Sequence, residues 1–80
     1  MVDADLVNLD VTIARFIIPR LEAFRDQTGS CPGAVSGFDA WREELDRMIR
    51  AWRRVERREY NHEVRSALLL FARRVPEMWS

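Results

Sequence analysis

Three kinds of residue in this chain have chemistry to offer: one histidine, one cysteine and a run of arginines. His62 is the only histidine and Cys31 the only cysteine. A zinc-type site draws three or four ligands from histidine, cysteine and carboxylate, and no cluster of that kind stands in the sequence. Cys31 sits between Ser30 and Pro32 with no visible base to activate it, and an unassisted thiol is a weak nucleophile. His62, close to Tyr60 and Glu63, reads as a surface or helix-start residue. The expectation is therefore a chain with no catalytic residue, no metal ligand and no cofactor.

The arginines are different. The segment RMIRAWRRVERRE, Arg47 to Glu59, holds six of them with apolar residues threaded between. Every basic residue of the chain is arginine, the planar guanidinium that binds carboxylate or phosphate through two parallel hydrogen bonds. A GC-rich genome also favours arginine codons. On a helix, Arg50, Arg54 and Arg57 lie together, flanked by Arg53 and Arg58, on the side opposite Trp52. Pairs four residues apart, Asp46 with Arg50 and Glu43 with Arg47, are expected to satisfy part of this charge. They cannot absorb it all, because Glu56 is the only acid between Arg47 and Arg58. Concentrated arginine is common at interface hot spots and phosphate contacts, so Arg47, Arg50, Arg53, Arg54, Arg57 and Arg58 form the expected partner-binding set.

Helices must hold these residues in place. Asp10 is placed to cap a first helix whose apolar stripe is Ile13, Ala14, Ile17, Leu21 and Phe24, broadened by Phe16 and Ile18. Pro19 lies inside it and predicts a kink or break near Ile18. TGSCPGAVSG, from Thr28 to Gly37, is the one clear connection. A second helix, capped by Ser36 with Asp39, carries Phe38, Trp41, Leu45, Met48, Ile49, Trp52 and Val55 and is expected to reach Tyr60. Helical spacing makes Trp41 and Trp52 core residues. Asn61 offers a turn or cap before a third stripe, Val64, Ala67, Leu68, Phe71, Ala72, Val75 and Met78, which ends near Pro76. Three such stripes and no strand signal predict an all-α fold: a small three-helix bundle with a kinked first helix, one domain over residues 1–80.

Composition narrows the setting. An 80-residue chain buries only about 60 % of its unfolded surface, so it needs a tidy core or a partner. With 48 % hydrophobic and 32 % charged residues it is too apolar for disorder and too often charged for a membrane span. Acids in MVDADLVNLD stand where a secretion signal would be basic, and a lone cysteine suits a reducing compartment; cytoplasm is expected. The zero net charge hides a division. Residues 1–40 carry three arginines against six acids, and residues 41–80 carry ten against seven.

LDVTIARFIIPRLEAFR, WREELDRMIRAW and ALLLFARRVPEMWS together resemble a family of small helical proteins of tailed bacteriophages and prophages. That family pairs T-I-A-x-F-I-x-P-R-L with W-x-x-x-L-D-x-M-I and ends in L-x-L-F-A followed by L-W. The matching positions are Thr12, Ile13, Ala14, Phe16, Ile17, Pro19, Arg20 and Leu21, then Trp41, Leu45, Asp46, Met48 and Ile49, then Leu68, Leu70, Phe71, Ala72 and Trp79. Met78 stands where the family has leucine, and the linker before the third helix is shorter and more basic. The family carries no catalytic residues. In size, charge texture and implied origin the chain also resembles anti-CRISPR proteins, which implies a host protein effector as partner. The effector implied is a type I CRISPR surveillance complex, inhibited in the cytoplasm of the bacterial host by blocking target DNA recognition or nuclease recruitment. The alternative is a small phage regulator whose arginine ridge binds DNA or RNA directly; a net charge of zero and an acidic N-terminal half weigh against it.

Overall fold

Apolar side chains that recur every three or four residues can be buried together only by helices, and helices form. The computed structural model describes residues 4–29, 31–33 and 35–78. A short helix α1 (Ala4–Val7) leads into α2 (Leu9–Gln27), followed by α3 (Phe38–Glu56) and α4 (His62–Arg74), which closes in a 3-10 turn at Val75–Glu77. No strand occurs among the described residues. The three long helices make a small all-α bundle. Trp79, one of the positions in the phage resemblance, lies outside the described residues.

α3 is the middle helix. α2 and α4 each pack on it, while no Cα of α2 comes within 8 Å of one in α4. The result is an elongated molecule of 47 × 26 × 18 Å with a radius of gyration of 13.5 Å, against roughly 12 Å for a compact chain of this length. Trp41, Leu45, Met48 and Ile49 of α3 join Leu21 of α2 and Val35 of the connecting segment in one buried cluster. Trp41 is fully buried and takes the edge of Phe24 at 6.3 Å between ring centres. Nearer the other end of α3 the packing changes to small residues, Ala14, Ala51, Val55, Val64 and Ala67, which let the helices approach closely. Trp52 touches both clusters and meets Phe71 edge to face at 5.5 Å. It remains half-buried because α2 and α4 do not close over it.

Several local expectations need correction. Pro19 does not break α2. Its ring is exposed, so the donor it lacks is missing on the solvent side, and the Arg20 guanidinium donates to the Phe16 carbonyl at 2.7 Å while lying over the Phe16 ring. Asp10 is not the cap of α2: the helix starts at Leu9, and Asp10 sits in its first turn, where a negative charge suits the helix dipole. Gly37 and not Ser36 precedes α3, with a φ of +114° that favours glycine. Asn61 does cap α4, accepting from the Val64 amide at 2.8 Å. Ile13, Phe38, Ala72 and Val75 belong to the periodic stripes yet stay exposed, since an open three-helix layer covers a narrower arc of each outer helix than a closed bundle would.

α3 also stops earlier than its stripe suggests, at Glu56 and not at Tyr60. Glu59 N donates to the Arg54 carbonyl at 2.8 Å and Arg58 N to the Val55 carbonyl at 2.9 Å, the paired bonds of a Schellman ending. Such an ending puts its penultimate residue in the left-handed region, normally a glycine; here it is Arg58, at φ 60°. For an arginine this costs about 1–2 kcal/mol. The side chain so placed donates to Asn8 Oδ1 at 2.8 Å and lies 3.7 Å from Asp10, while the Tyr60 hydroxyl donates to Asp10 Oδ2 at 2.6 Å. The turn after α3 is thereby clamped to the start of α2.

Two predictions test this packing. In denaturant titrations Leu45→Ala should lose about 2–5 kcal/mol, and Ile13→Ala, at a 43 % exposed position, about 0.5 kcal/mol or less. Equal losses would contradict the open layer. The clamp has a pH signature. The Tyr60 hydrogen bond, aided by the Arg58 charge, holds the Asp10 carboxyl below its ordinary range, and the same bond to Asp10 raises the Tyr60 phenol. The Asp10 contribution is present above the ordinary carboxylate pKa and lost as pH falls through the lowered one; the Tyr60 contribution is present below the ordinary phenol pKa and lost as pH rises through the raised one. Tyr60 is the only tyrosine, so phenolate absorbance reads it alone. Its midpoint should lie above about 10 and move back toward it in Asp10→Ala; identical midpoints would exclude the bond.

Candidate interaction surface

The six arginines expected to form one ridge are divided by the fold. Arg47, Arg50 and Arg54 turn toward α4, where they line an open groove of about 340 Å³ floored by Ala51, Val64 and Ala67. Arg53 and Arg57 turn toward α2 and line a second groove of about 360 Å³ with Arg15, Pro19 and Glu56. Arg58 lies past the end of α3 in the clamp to Asn8 and Asp10. The expected association of Arg57 with Arg50 and Arg54 fails because α3 ends at Glu56, which takes Arg57 off the helical course.

Charge pairing separates the two grooves. On the α2 side Arg53 meets Glu22 at 2.6 Å, Arg15 meets Glu56 at 3.2 Å and Arg57 meets Glu59 at 3.4 Å. Each guanidinium there has a carboxylate. On the α4 side Arg47 donates to the uncharged Ser66 Oγ at 2.9 Å, and Arg54 faces Glu63 only at 3.9 Å. Arg50 is exposed and makes no ion pair or hydrogen bond among the described residues. Glu63, 85 % exposed at its side chain, is the only acid lining this groove. The α3–α4 groove therefore holds a local excess of positive charge and the α2–α3 groove does not.

The acids expected to quench Arg47 and Arg50 are used differently. Asp46 pairs with Arg25 of α2 at 2.8 Å and not with Arg50, and the Glu43–Arg47 pair does not form, Arg47 reaching Ser66 instead. Glu44 takes both nitrogens of Arg74 at 2.8 and 3.4 Å, with the arginine side chain only 14 % exposed. This pair ties the start of α3 to the end of α4, and Glu44 raises the Arg74 pKa further above its ordinary value. Partners on neighbouring helices win because a long side chain at the edge of one helix reaches the next helix more easily than it lies along its own.

Sequence reasoning missed the floor of the groove. Ala51 and Ala67 are 4 % and 2 % exposed, and alanine at a buried helix position is the signal that marks a shallow cleft. His62 stands exposed as the first residue of α4. Cys31 is half-buried against the core with its Sγ 3.6 Å from the Pro32 carbonyl and 3.8 Å from that of Val35. Among the described residues no group of three or more His, Cys, Asp or Glu is placed to hold a metal ion, and no helix is long and apolar enough to cross a membrane. Compared with protein families, with curated proteins and with solved structures, the chain matches none.

Proposed function

We propose that the chain is a partner-binding protein that acts through the Arg47, Arg50 and Arg54 edge of α3, and that its partner is a host protein effector. One observation carries this reading: three guanidiniums converge on one open groove, and Arg50 has no internal partner there among the described residues. Charge of this kind adds little to folding when solvated, whereas an arginine desolvated against a carboxylate at an interface contributes strongly. The resemblance to small phage proteins makes a type I CRISPR surveillance complex the first effector to try, with inhibition by occlusion of its DNA-binding or nuclease-recruiting surface. A protein is favoured over nucleic acid because exposed Glu63 borders the groove and the chain carries no net positive charge.

Arg47→Glu/Arg50→Glu/Arg54→Glu together should keep helicity and melting temperature close to the parent, since none of the three makes a close ion pair across helices and glutamate is a good helix former. Co-purification with the effector and phage plating on a host with an active type I system should both fall at least tenfold. A folded triple variant that still binds and inhibits would overturn the reading. Steeply salt-dependent binding of the parent to duplex DNA, lost in the variant, would replace it with nucleic-acid binding.

A further inference from the structure

The α3–α4 groove has a shape and a charge pattern that specify more than a basic patch. Resting on the reading that this groove is the binding site, we infer that it takes an acidic amphipathic helix of the partner protein, its carboxylates on the α3 side and small or aliphatic side chains on the Ala51–Ala67 floor. The spacing is the first reason. Arg47, Arg50 and Arg54 succeed one another by three and four residues, so they stand about 4.5 and 6 Å apart along the α3 axis. A second helix laid alongside has the same period. Carboxylates three and four residues apart on its near edge meet the three guanidiniums one for one, in the two-bond geometry that arginine favours.

The floor is the second reason. Ala51 and Ala67 end at Cβ and Val64 is little longer, so the depression between α3 and α4 is apolar and shallow, with arginine heads above it on one wall. Helix-in-groove recognition uses this combination of an apolar floor and a charged rim. A phosphodiester backbone has charge for the rim but nothing apolar for the floor, and Glu63 repels it. An extended peptide would need a free strand edge, and no strand occurs among the described residues. Glu63 stands on the opposite wall and favours a basic or neutral residue on the far edge of the bound helix, which fixes its rotation in the groove.

The test uses the full chain and three synthetic peptides. One is an amphipathic helix with glutamates spaced three and four residues apart beside an alanine–leucine row; the second has glutamine for glutamate; the third keeps the first composition in scrambled order. Arginine Nε–Hε and backbone amide resonances are followed by NMR, with fluorescence anisotropy of the labelled peptides. The acidic helix should saturably shift Arg47, Arg50 and Arg54 together with the amides of Ala51 and Ala67. The glutamine and scrambled peptides should bind at least tenfold more weakly. Arg50→Glu should weaken the acidic helix at least tenfold, and Arg53→Ala, on the far groove, should leave it unchanged.

Equal binding of the scrambled peptide, shifts centred on Arg53 and Arg57, or stronger displacement of the same resonances by duplex DNA would each overturn the inference. Failure of the acidic helix to bind, with effector capture still abolished in the triple glutamate variant, would overturn the inference and leave the binding site standing. Effector capture that survives the triple variant would remove the site on which both depend.

Discussion

α3 has to be buried from two sides by helices that do not meet each other, and that constraint decides most of the architecture. The apolar arc of α3 is wide enough to seat α2 along one edge and α4 along the other, with Trp41, Leu45 and Met48 fully enclosed between them. At the end nearer the turn, alanines on all three helices shorten the distances, and Ala14, Ala51 and Ala67 replace bulk with close approach. Packing is thus dense at both ends and incomplete at Trp52, where the two outer helices leave a gap. The indole nitrogens of Trp41 and Trp52 have no hydrogen-bond partner among the described residues. An unmet buried donor costs about 1–3 kcal/mol, which the burial of so large a ring offsets.

The ion pairs reflect this layout. Arg25–Asp46, Arg53–Glu22 and Arg15–Glu56 all cross from α2 to α3, and Arg74–Glu44 crosses from α4 to α3. Individually such exposed pairs are worth about 0–1 kcal/mol. Their larger consequence is distribution. The acids of α2 neutralise the α2-facing arginines, while the middle of α4 offers the α4-facing arginines only Ser66 and a distant Glu63. An overall charge of zero therefore coexists with one positively charged groove.

The turn between α3 and α4 governs the shape of that groove. A left-handed Arg58 ends α3 one turn early, and Asn61 then starts α4 by capping Val64. Val64 and Ala67 consequently come to face Ala51 across a shallow cleft. Had α3 continued to Tyr60, Arg57 would have joined Arg50 and Arg54, and Arg58 and Tyr60 could not have reached Asn8 and Asp10. Backbone strain at one residue is offset by a clamp that holds the start of α2 against the end of α3.

Much of this was legible in the residues themselves. Periodicity alone determined three helices, the Thr28–Gly37 connection, the Asn61 cap and the burial of Trp41, Leu45 and Val64, because local spacing dictates which side chains a helix can hide. The arginine run was legible as a concentration of charge but not as a surface. Which arginines stayed available depended on Glu22, Glu56 and Glu63, and on Asp46 turning to Arg25 instead of Arg50, all choices among partners on other helices. The exposure of Ile13 and the half-burial of Trp52 likewise depended on how far α2 and α4 splay. Helical period is a property of neighbouring residues along the chain, whereas charge pairing and coverage are set by distances between chain segments, and only the tertiary structure decides those.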